Sequence, residues 1–343
     1  TLQRCQPTVY FIKTKAIKEY KDWRDSGSYQ SFLPVKNLKC GGYVLKVILD
    51  MDPGIDDAVA LVMALGSRDV EILGVTVVSG NVHVDQGVRN VLRITDYLGK
   101  KVDIYKGSEK PLIRDLVTSE HVHGSDGLGD SDLPLRKEIT ARENAIKFIV
   151  ESTLSERVSI VATGPLTNIA KAILIEPNIS SKVEEIVVMG GCFGLTRYAK
   201  GNVTPYSEYN FYVDPEAAKI VIRSGARIRI VGLDVTQNHS SMLTRERAED
   251  LRRIGKGGDL IYRITRKPLI DRGYFELHDA IAMASKIDHS IVAFKDLYIS
   301  IDTCYERGRS YAYTEPSNSD GKALVGYDID SERFYSLLRE TLK

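Results

Sequence analysis

The sequence predicts an α/β fold: a single domain with an open, mainly parallel (mixed) sheet and helices on both of its faces. From Val44 onwards, short apolar runs rich in β-branched residues alternate with segments of helical period, which is typical of such sheets. No Pro-, Ser- or Gly-rich linker divides Val44 from Lys343, which favours one domain. A chain of 343 residues, 43% of them hydrophobic, is also long and apolar enough for a sizeable core.

Six apolar runs are predicted to be strands, each followed by a polar or Gly-containing stretch. They occupy residues 44–49, 72–78, 103–105, 158–162, 185–189 and 228–232. The rest of the chain is more helical, with predicted helices at 245–253, 260–266 and 278–286, strands at 297–301 and 310–314, and a closing helix from Ser331. Open α/β sheets bind ligands beyond the carboxyl ends of their strands, so a site is expected just after these runs.

Residues 1–43 are predicted to be an N-terminal extension of unknown role, and residues 44–343 the folded domain. The extension has eight Lys or Arg against three Asp or Glu, and it contains the only Trp, Trp23. It has no hydrophobic run typical of a secretory signal, and its three acidic residues count against an organelle transit peptide.

The composition favours a small-molecule partner over a macromolecular one. A formal net charge of +1 gives no whole-chain attraction to nucleic acid or to an anionic membrane. No apolar run reaches the roughly 18 to 20 residues of a spanning helix. The 4 cysteines form no CxxC pair, which argues against a zinc site and a disulfide-built scaffold. A cytoplasmic location is expected.

Four carboxylates follow the first predicted strand within eight positions: Asp50, Asp52, Asp56 and Asp57. Carboxylates packed at one strand end raise one another's pKa unless a cation or strong hydrogen bonds hold them ionised. A hard divalent ion prefers several carboxylate and carbonyl oxygens and explains the cluster. Capping of the following helix accounts for one or two of the four, such as Asp56 and Asp57. The turn at Pro53-Gly54 can fold Asp52 and Asp57 towards one point.

The segment DMDPGIDDAVALVMAL resembles the N-terminal signature of the nucleoside hydrolase family, usually D-x-D-P-G-x-D-D. Further segments similar to motifs of that family follow in the expected order, at residues 79–81, 123–124, 127–128, 162–168, 189–191, 201–205, 208–210, 214–216 and 278–280. The resemblance covers about residues 44–288. It implies the Rossmann-like nucleoside hydrolase fold and a ribonucleoside hydrolase of nucleoside salvage, of the inosine-uridine preferring or pyrimidine type.

The resemblance also implies a calcium site and a mechanism. The ion is held by Asp52, Asp57, the main-chain carbonyl of Thr163 and Asp279, with ribose hydroxyls and one water completing its shell. Asp52 is the general base on that water, because a metal lowers the pKa of bound water and an adjacent carboxylate can accept its proton. The transition state is expected to resemble an oxocarbenium ion.

Sugar contacts are implied at five matching positions: Asp56, Asn81, Asn202, Glu208 and Asn210. If the segment 202–210 is extended, the even spacing of its three polar residues points them the same way. Each Asn taken alone is equally well explained by turn chemistry beside Gly or Pro.

The leaving base needs a proton or hydrogen bonds, and the resemblance assigns His123 to the loop over the base and His278 to the base end of the pocket. The remaining histidines are expected to be structural. Tyr262 and Arg266 lie one helical turn apart, like a base-contacting pair of some members, but their offset from His278 differs. They and Tyr274 are therefore weaker candidates.

The expected substrate is an inosine, uridine or pyrimidine nucleoside, because the tryptophans of a purine-specific branch are missing from the matched region. The stretch 192–200 is longer than the family's common pattern, which affects the rim of the pocket. Close relatives are commonly oligomers, so a homodimer or homotetramer is expected.

Two alternatives stay open at this point. One is a magnesium-dependent phosphatase of the haloacid dehalogenase kind, which also places Asp-x-Asp at the end of its first strand. Gly54 stands where that family usually has Thr or Val. The other is a non-catalytic nucleoside- or ribose-binding module, since fold and metal binding do not prove turnover. Retention of Asp52 and His123 favours an enzyme.

Overall fold

The structure is a computed structural model that describes residues 44–134, 141–316 and 319–343; the N-terminal extension predicted at 1–43 lies outside the described residues. Its strands are β1 Leu45–Met51, β2 Val70–Val77, β3 Ile104–Lys106, β4 Ser159–Ala162, β5 Ile186–Met189, β6 Ile228–Val231, β7 Leu243–Thr244, β8 Tyr274–Phe275, β9 Val292–Ile301, β10 Ser310–Tyr313 and β11 Gly321–Ile329.

The α-helices of the described residues connect and cover these strands. They are α1 Ile55–Gly66, α2 Val84–Leu98, α3 Glu120–His123, α4 Ala145–Ser155, α5 Thr167–Ile175, α6 Ile179–Lys182, α7 Tyr209–Val213, α8 Pro215–Arg223, α9 Leu233–Thr236, α10 Arg245–Arg252, α11 Lys256–Arg272, α12 His278–Ile287 and α13 Ser331–Thr341. None of the described helices is long and apolar enough to span a membrane.

Nine of the strands form one sheet in the order β10-β9-β11-β6-β5-β4-β1-β2-β3. The strands from β3 to β6 pair in parallel, and β11 extends them in parallel beside β6. Strand β9 then runs antiparallel to both β11 and β10, which makes the sheet mixed at one edge. The predicted fold class is confirmed.

Residues of β1 alternate between the two faces of the sheet, as the twofold period of a strand requires. Val47, Leu49 and Met51 pack with α1 and its neighbours in one buried cluster. Ile48 belongs to a second cluster that includes residues of α5 and α8. Both faces of this strand are therefore covered, which explains why it is apolar at nearly every position.

Strand β11 and the full length of α11 are among the features that were not predicted from the sequence. Strand β11 was missed because Gly321 and Gly326 interrupt its apolar pattern, and the pairing with β9 shifts register after Gly326. The helix predicted at 260–266 is much longer, because α11 begins at Lys256 and carries Pro268 inside it. A proline usually marks the end of a helix in a sequence pattern, so the prediction stopped before Pro268 although the helix continues to Arg272.

Candidate active site

Three buried carboxylates meet beyond the carboxyl end of the parallel sheet. Asp56 and Asp57 lie in the first turn of α1, and Asp279 lies in the first turn of α12. One oxygen of each lies within 4.8 Å of the others. Among the described residues none of the three forms an ion pair with Lys or Arg. The positive ends of the two helix dipoles offset part of the repulsion.

Burial and mutual repulsion both disfavour the charged forms of this group. Burial, and then the charge of Asp57, raise the pKa of Asp56 to about 8. Burial and the charges of the neighbouring carboxylates also raise the pKa of Asp279 well above its usual value. The protein alone therefore does not stabilise these groups as a set of anions.

Asp52 lies beside this group, held by the turn that follows β2. Its Oδ2 accepts a hydrogen bond from the backbone N–H of Asn81 at 2.7 Å, whereas its buried Oδ1 has no hydrogen-bond partner among the described residues. Burial, and then the charge of Asp57, raise its pKa. A Cβ on Gly80 would lie 2.0 Å from Oδ2 of Asp52, so this close approach of the turn requires glycine.

Hydrogen bonds from three strand ends fix Asp57. Its Oδ2 accepts from the backbone N–H of Gly54 at 2.9 Å and from Nδ2 of Asn81 at 3.2 Å. Its Oδ1 accepts from Oγ1 of Thr163 at 2.7 Å. Nδ2 of Asn210 donates in turn to the main-chain carbonyl of Thr163 at 2.8 Å. The carboxylate, the amide and this carbonyl are thus oriented by one network.

The donor set fits a hard divalent cation. Oδ1 of Asp52 and Oδ1 of Asp56 are buried and accept no hydrogen bond from the described residues. Uncompensated buried carboxylate oxygens are costly unless a cation pairs with them. Carboxylate and carbonyl oxygens are the ligands that Ca²⁺ and Mg²⁺ prefer, and no thiol lies in the group.

Two histidines flank the carboxylates. Nδ1 of His123 accepts from the backbone N–H of Ile55 at 3.0 Å and lies 3.9 Å from Oδ1 of Asp56. Burial lowers the pKa of His123 to about 3, so its ring is neutral. His278 is the first residue of α12, and its Nδ1 lies 2.7 Å from Oγ1 of Thr236. Burial lowers its pKa as well.

The segment 202–210 is not extended, so the condition under which its polar residues would point the same way is not met. Asn202 lies in a bend and is exposed, whereas Glu208 is the N-cap of α7 and Asn210 lies within that helix. The carboxylate of Glu208 accepts from the backbone N–H groups of Gly191, Asn210 and Phe211, which fixes the helix start. Even spacing does not predict the side-chain directions here, because α7 begins at Tyr209, between Glu208 and Asn210.

Several contributors to the site were missed from the sequence. Tyr209 donates from its hydroxyl to the carbonyl of Val117 at 2.7 Å, and burial and then the charge of Asp52 raise its pKa. Behind the site, Nδ2 of Asn168 donates to Oδ1 of Asp50 at 2.8 Å. Asp50 is therefore a supporting residue, although it belongs to the same motif as Asp52.

The weaker base-contact candidates lie on α11 and β8. Tyr262 and Arg266 line a cavity of about 560 Å³ between α11 and residues 129–132. The guanidinium group of Arg252 lies 4.4 Å from the centroid of the Tyr262 ring. Tyr274 is 41% exposed in β8.

The stretch 192–200, which is longer than the family's common pattern, is held in place by Asp234. The carboxylate of Asp234 accepts hydrogen bonds from the backbone N–H groups of residues 193 and 195.

An open α/β sheet with convergent polar groups and perturbed carboxylates beyond its strand ends is typical of an enzyme that acts on a small polar substrate. The profile of the inosine-uridine preferring nucleoside hydrolase family matches residues 47–336, and the chain belongs to this family. It is 36% identical over 320 residues to a pyrimidine-specific ribonucleoside hydrolase of Salmonella newport, covering 87% of this chain and 98% of that protein.

Solved structures are similar over the same extent. A purine-preferring ribonucleoside hydrolase from Gardnerella vaginalis has 33% identity and a TM-score of 0.79, covering 87% of this chain and 98% of that one. A plant nucleoside hydrolase has 31% identity, the same TM-score and the same coverage. The predicted family and enzyme class are confirmed, which decides against the phosphatase and the non-catalytic module.

Proposed function

We propose that this chain hydrolyses the N-glycosidic bond of ribonucleosides to free base and ribose, with a resident calcium ion. The observation that carries the proposal is the buried group of Asp56, Asp57 and Asp279, with Asp52 beside it, none of which forms an ion pair with Lys or Arg among the described residues. A polar sugar with several hydroxyl groups, bound at a cation, suits such a site better than an apolar ligand does.

Asp52, Asp57, the main-chain carbonyl of Thr163 and Asp279 would hold the ion, and the position of Asp56 among the three grouped carboxylates makes it a further candidate. When bound, the cation supplies Lewis acidity, which lowers the pKa of a water molecule. Asp52 then acts as general base. An ionised carboxylate has free lone pairs beyond the one that accepts from the N–H of Asn81, so Asp52 can both face the ion and accept the proton of the attacking water.

The bond changes are those of a simple hydrolysis. The bond between the anomeric carbon and the base nitrogen breaks, and its electron pair passes to the base. The anomeric carbon, which carries positive charge in the transition state, gains the hydroxyl of water. We propose that Asp56, Asn81, Asn202, Glu208 and Asn210 bind or orient the ribose. Asn81 and Asn210 have the best support, since both belong to the network around Asp57.

The departing base carries negative charge that a hydrogen-bond donor must stabilise. His123 accepts at Nδ1 from the N–H of Ile55, so the proton of its neutral ring is on Nε2. We propose that Nε2–H groups of His123 and His278 are these donors.

For the substrate we propose inosine, uridine or a pyrimidine nucleoside, used in nucleoside salvage. The relative from Salmonella newport is pyrimidine-specific by name, and the family is inosine-uridine preferring. The structure from Gardnerella vaginalis is purine-preferring by title, so base preference is the point to measure. A cytoplasmic location and a homodimer or homotetramer stay predictions from the sequence.

The test is release of free ribose from inosine, uridine, cytidine, adenosine and guanosine, with and without a calcium chelator. We expect release that the chelator suppresses and that added calcium restores. Asp52→Asn is expected to abolish release while keeping the thermal midpoint of unfolding within a few degrees. Full activity of that variant contradicts the general-base assignment, and no ribose from any nucleoside contradicts the function.

A further inference from the structure

We propose that Thr236 is the positioning residue for His278, and that its hydroxyl group fixes the imidazole so that Nε2–H faces the leaving base. The inference rests on the proposed function, because it concerns the group that donates to the departing base. It assigns a role to a residue outside every motif that resembles the family.

The contact is short and buried. Oγ1 of Thr236 lies 2.7 Å from Nδ1 of His278, although the two residues are 42 positions apart in the chain. Thr236 has no exposed surface, and the side chain of His278 is only 15% exposed. Thr236 ends α9 directly after β6, and His278 begins α12. The contact therefore joins two regular elements rather than two loops.

The hydroxyl decides which nitrogen carries the proton. A neutral imidazole has one N–H and one acceptor nitrogen, and a donor at one nitrogen leaves the proton on the other. The contact of Oγ1 with Nδ1 suits donation in either direction, and the proposed role takes the Thr236 hydroxyl as the donor, which places the proton of His278 on Nε2. Oε2 of Glu276 lies 3.8 Å from Nε2, beyond hydrogen-bond distance, so Nε2–H stays available to a ligand.

His123 shows the same arrangement with a different donor. Its Nδ1 accepts from the backbone N–H of Ile55, which leaves Nε2 as the donor nitrogen. Both histidines beside the carboxylates thus have a hydrogen-bond partner at Nδ1. In His123 the partner is main chain and cannot be substituted, whereas in His278 it is a side chain that mutagenesis can remove.

The experiment compares Thr236→Val, which removes the hydroxyl at nearly constant shape, with Thr236→Ser, which keeps it. Thr236→Ala is the second hydroxyl-free variant, in case Val is not tolerated. Thr265→Val is the matched control, because Thr265 is also fully buried and donates only within its own helix, to the carbonyl of Ile261. Thermal unfolding of each variant shows that it is folded.

Each variant is assayed with inosine and uridine and with p-nitrophenyl β-D-riboside, whose leaving group departs as a stable anion without a hydrogen-bond donor. We expect Thr236→Val to lower kcat on the two nucleosides by about 10- to 100-fold, with KM changed less than about threefold, as loss of a positioned donor predicts. On the nitrophenyl riboside the loss is expected to stay below about threefold. Thr236→Ser restores most of the nucleoside activity.

Parallel losses on both kinds of substrate, or unchanged nucleoside activity in Thr236→Val and Thr236→Ala, overturn the inference while leaving the proposed function intact. Failure of Thr236→Ser to recover activity above the level of Thr236→Val also overturns it. A wild-type protein that releases ribose from no nucleoside contradicts the proposed function itself, before any variant is compared.

Discussion

The backbone N–H of Ile55 donates to Nδ1 of His123 across 3.0 Å, so the first turn of α1 and the segment that follows residue 119 are held together by one hydrogen bond. That turn also carries Asp56 and Asp57. A Cβ on Gly54 would lie 2.6 Å from Nδ1 of His123, so the turn requires glycine for the ring to approach. The same helix turn therefore positions two of the three carboxylates and the histidine proposed to donate to the base.

Replacing His123 by Phe removes the acceptor for this buried N–H. An unsatisfied buried donor costs about 1–3 kcal/mol. We therefore expect the free energy of unfolding, measured by urea denaturation, to be lower than that of the wild type by this amount. His121→Phe is the control, because His121 is two residues away on the same short helix but exposed. Equal stability of the two variants contradicts a structural role for the hydrogen bond.

The sequence located the carboxylates because local pattern determines them. An apolar run ending in Asp50 and Asp52, followed by a Pro-Gly turn and helix-forming residues, places four acidic groups at one strand end. What the pattern cannot determine is which carboxylates turn towards one point. Backbone geometry at the turn groups Asp56 with Asp57 and Asp279, and it leaves Asp50 behind the site against Asn168.

Contacts between segments that are distant in the chain could not be predicted from the sequence. Tyr209 stands between two residues predicted to contact the sugar, but its own contact with Val117 is not indicated by the sequence, nor is that of Thr236 with His278, because these partners are 92 and 42 positions away. The parallel topology creates these contacts by bringing strand ends together that are far apart in the chain.

A second prediction concerns acid stability far from the site. Glu185 is buried between Lys286, with Nζ 2.7 Å from Oε1, and Arg229, with Nη2 3.2 Å from Oε2. Although burial opposes it, the charges of Arg229 and Lys286 hold the pKa of Glu185 below its usual 4.5. Because the folded-state pKa is depressed, this stabilisation is present above pH 4.5 and is lost as the pH falls through the lower, folded-state value.

Glu185→Gln leaves two buried cations without their carboxylate, so the free energy of unfolding at pH 7 is expected to fall by about 3–5 kcal/mol. The variant is also expected to lose less stability than the wild type between pH 5 and pH 3. Glu184→Gln is the control, since its partner Arg157 is 70% exposed and such pairs contribute at most about 1 kcal/mol. Urea unfolding at several pH values decides between them.

A third prediction is that Cys192 is chemically inert in the folded protein. The residue is 8% exposed, and burial, followed by the charge of Asp234, raises the pKa of its thiol to about 12. The thiolate is the reactive form of cysteine, so a raised pKa and burial both slow its reaction. Peptide mapping after treatment with a disulfide reagent should find Cys192 unmodified in buffer and modified in urea. Rapid labelling in buffer contradicts the buried placement.

The last prediction concerns two opposite effects of the buried carboxylates: they destabilise the metal-free protein, and they bind the cation. Without a cation, Asp56 is a buried group whose pKa is raised to about 8 by burial and by Asp57. The folded protein must either protonate Asp56 or bury its charge beside Asp57, and Asp56→Asn removes that cost at constant shape, so we expect the metal-free variant to be more stable than the wild type at pH 7 by about 0.5–2 kcal/mol.

Calcium should reverse that order. A ligand that binds only the folded state adds about 2.7 kcal/mol at a concentration of one hundred times its Kd, so the wild type gains stability as calcium is added. Asp56→Asn weakens the site by one charge and is expected to gain less, so that the two stability curves cross. Asp115→Asn, at an exposed position, should follow the wild type throughout. A metal-free Asp56→Asn protein less stable than the wild type contradicts the view that these carboxylates repel one another until a cation joins them.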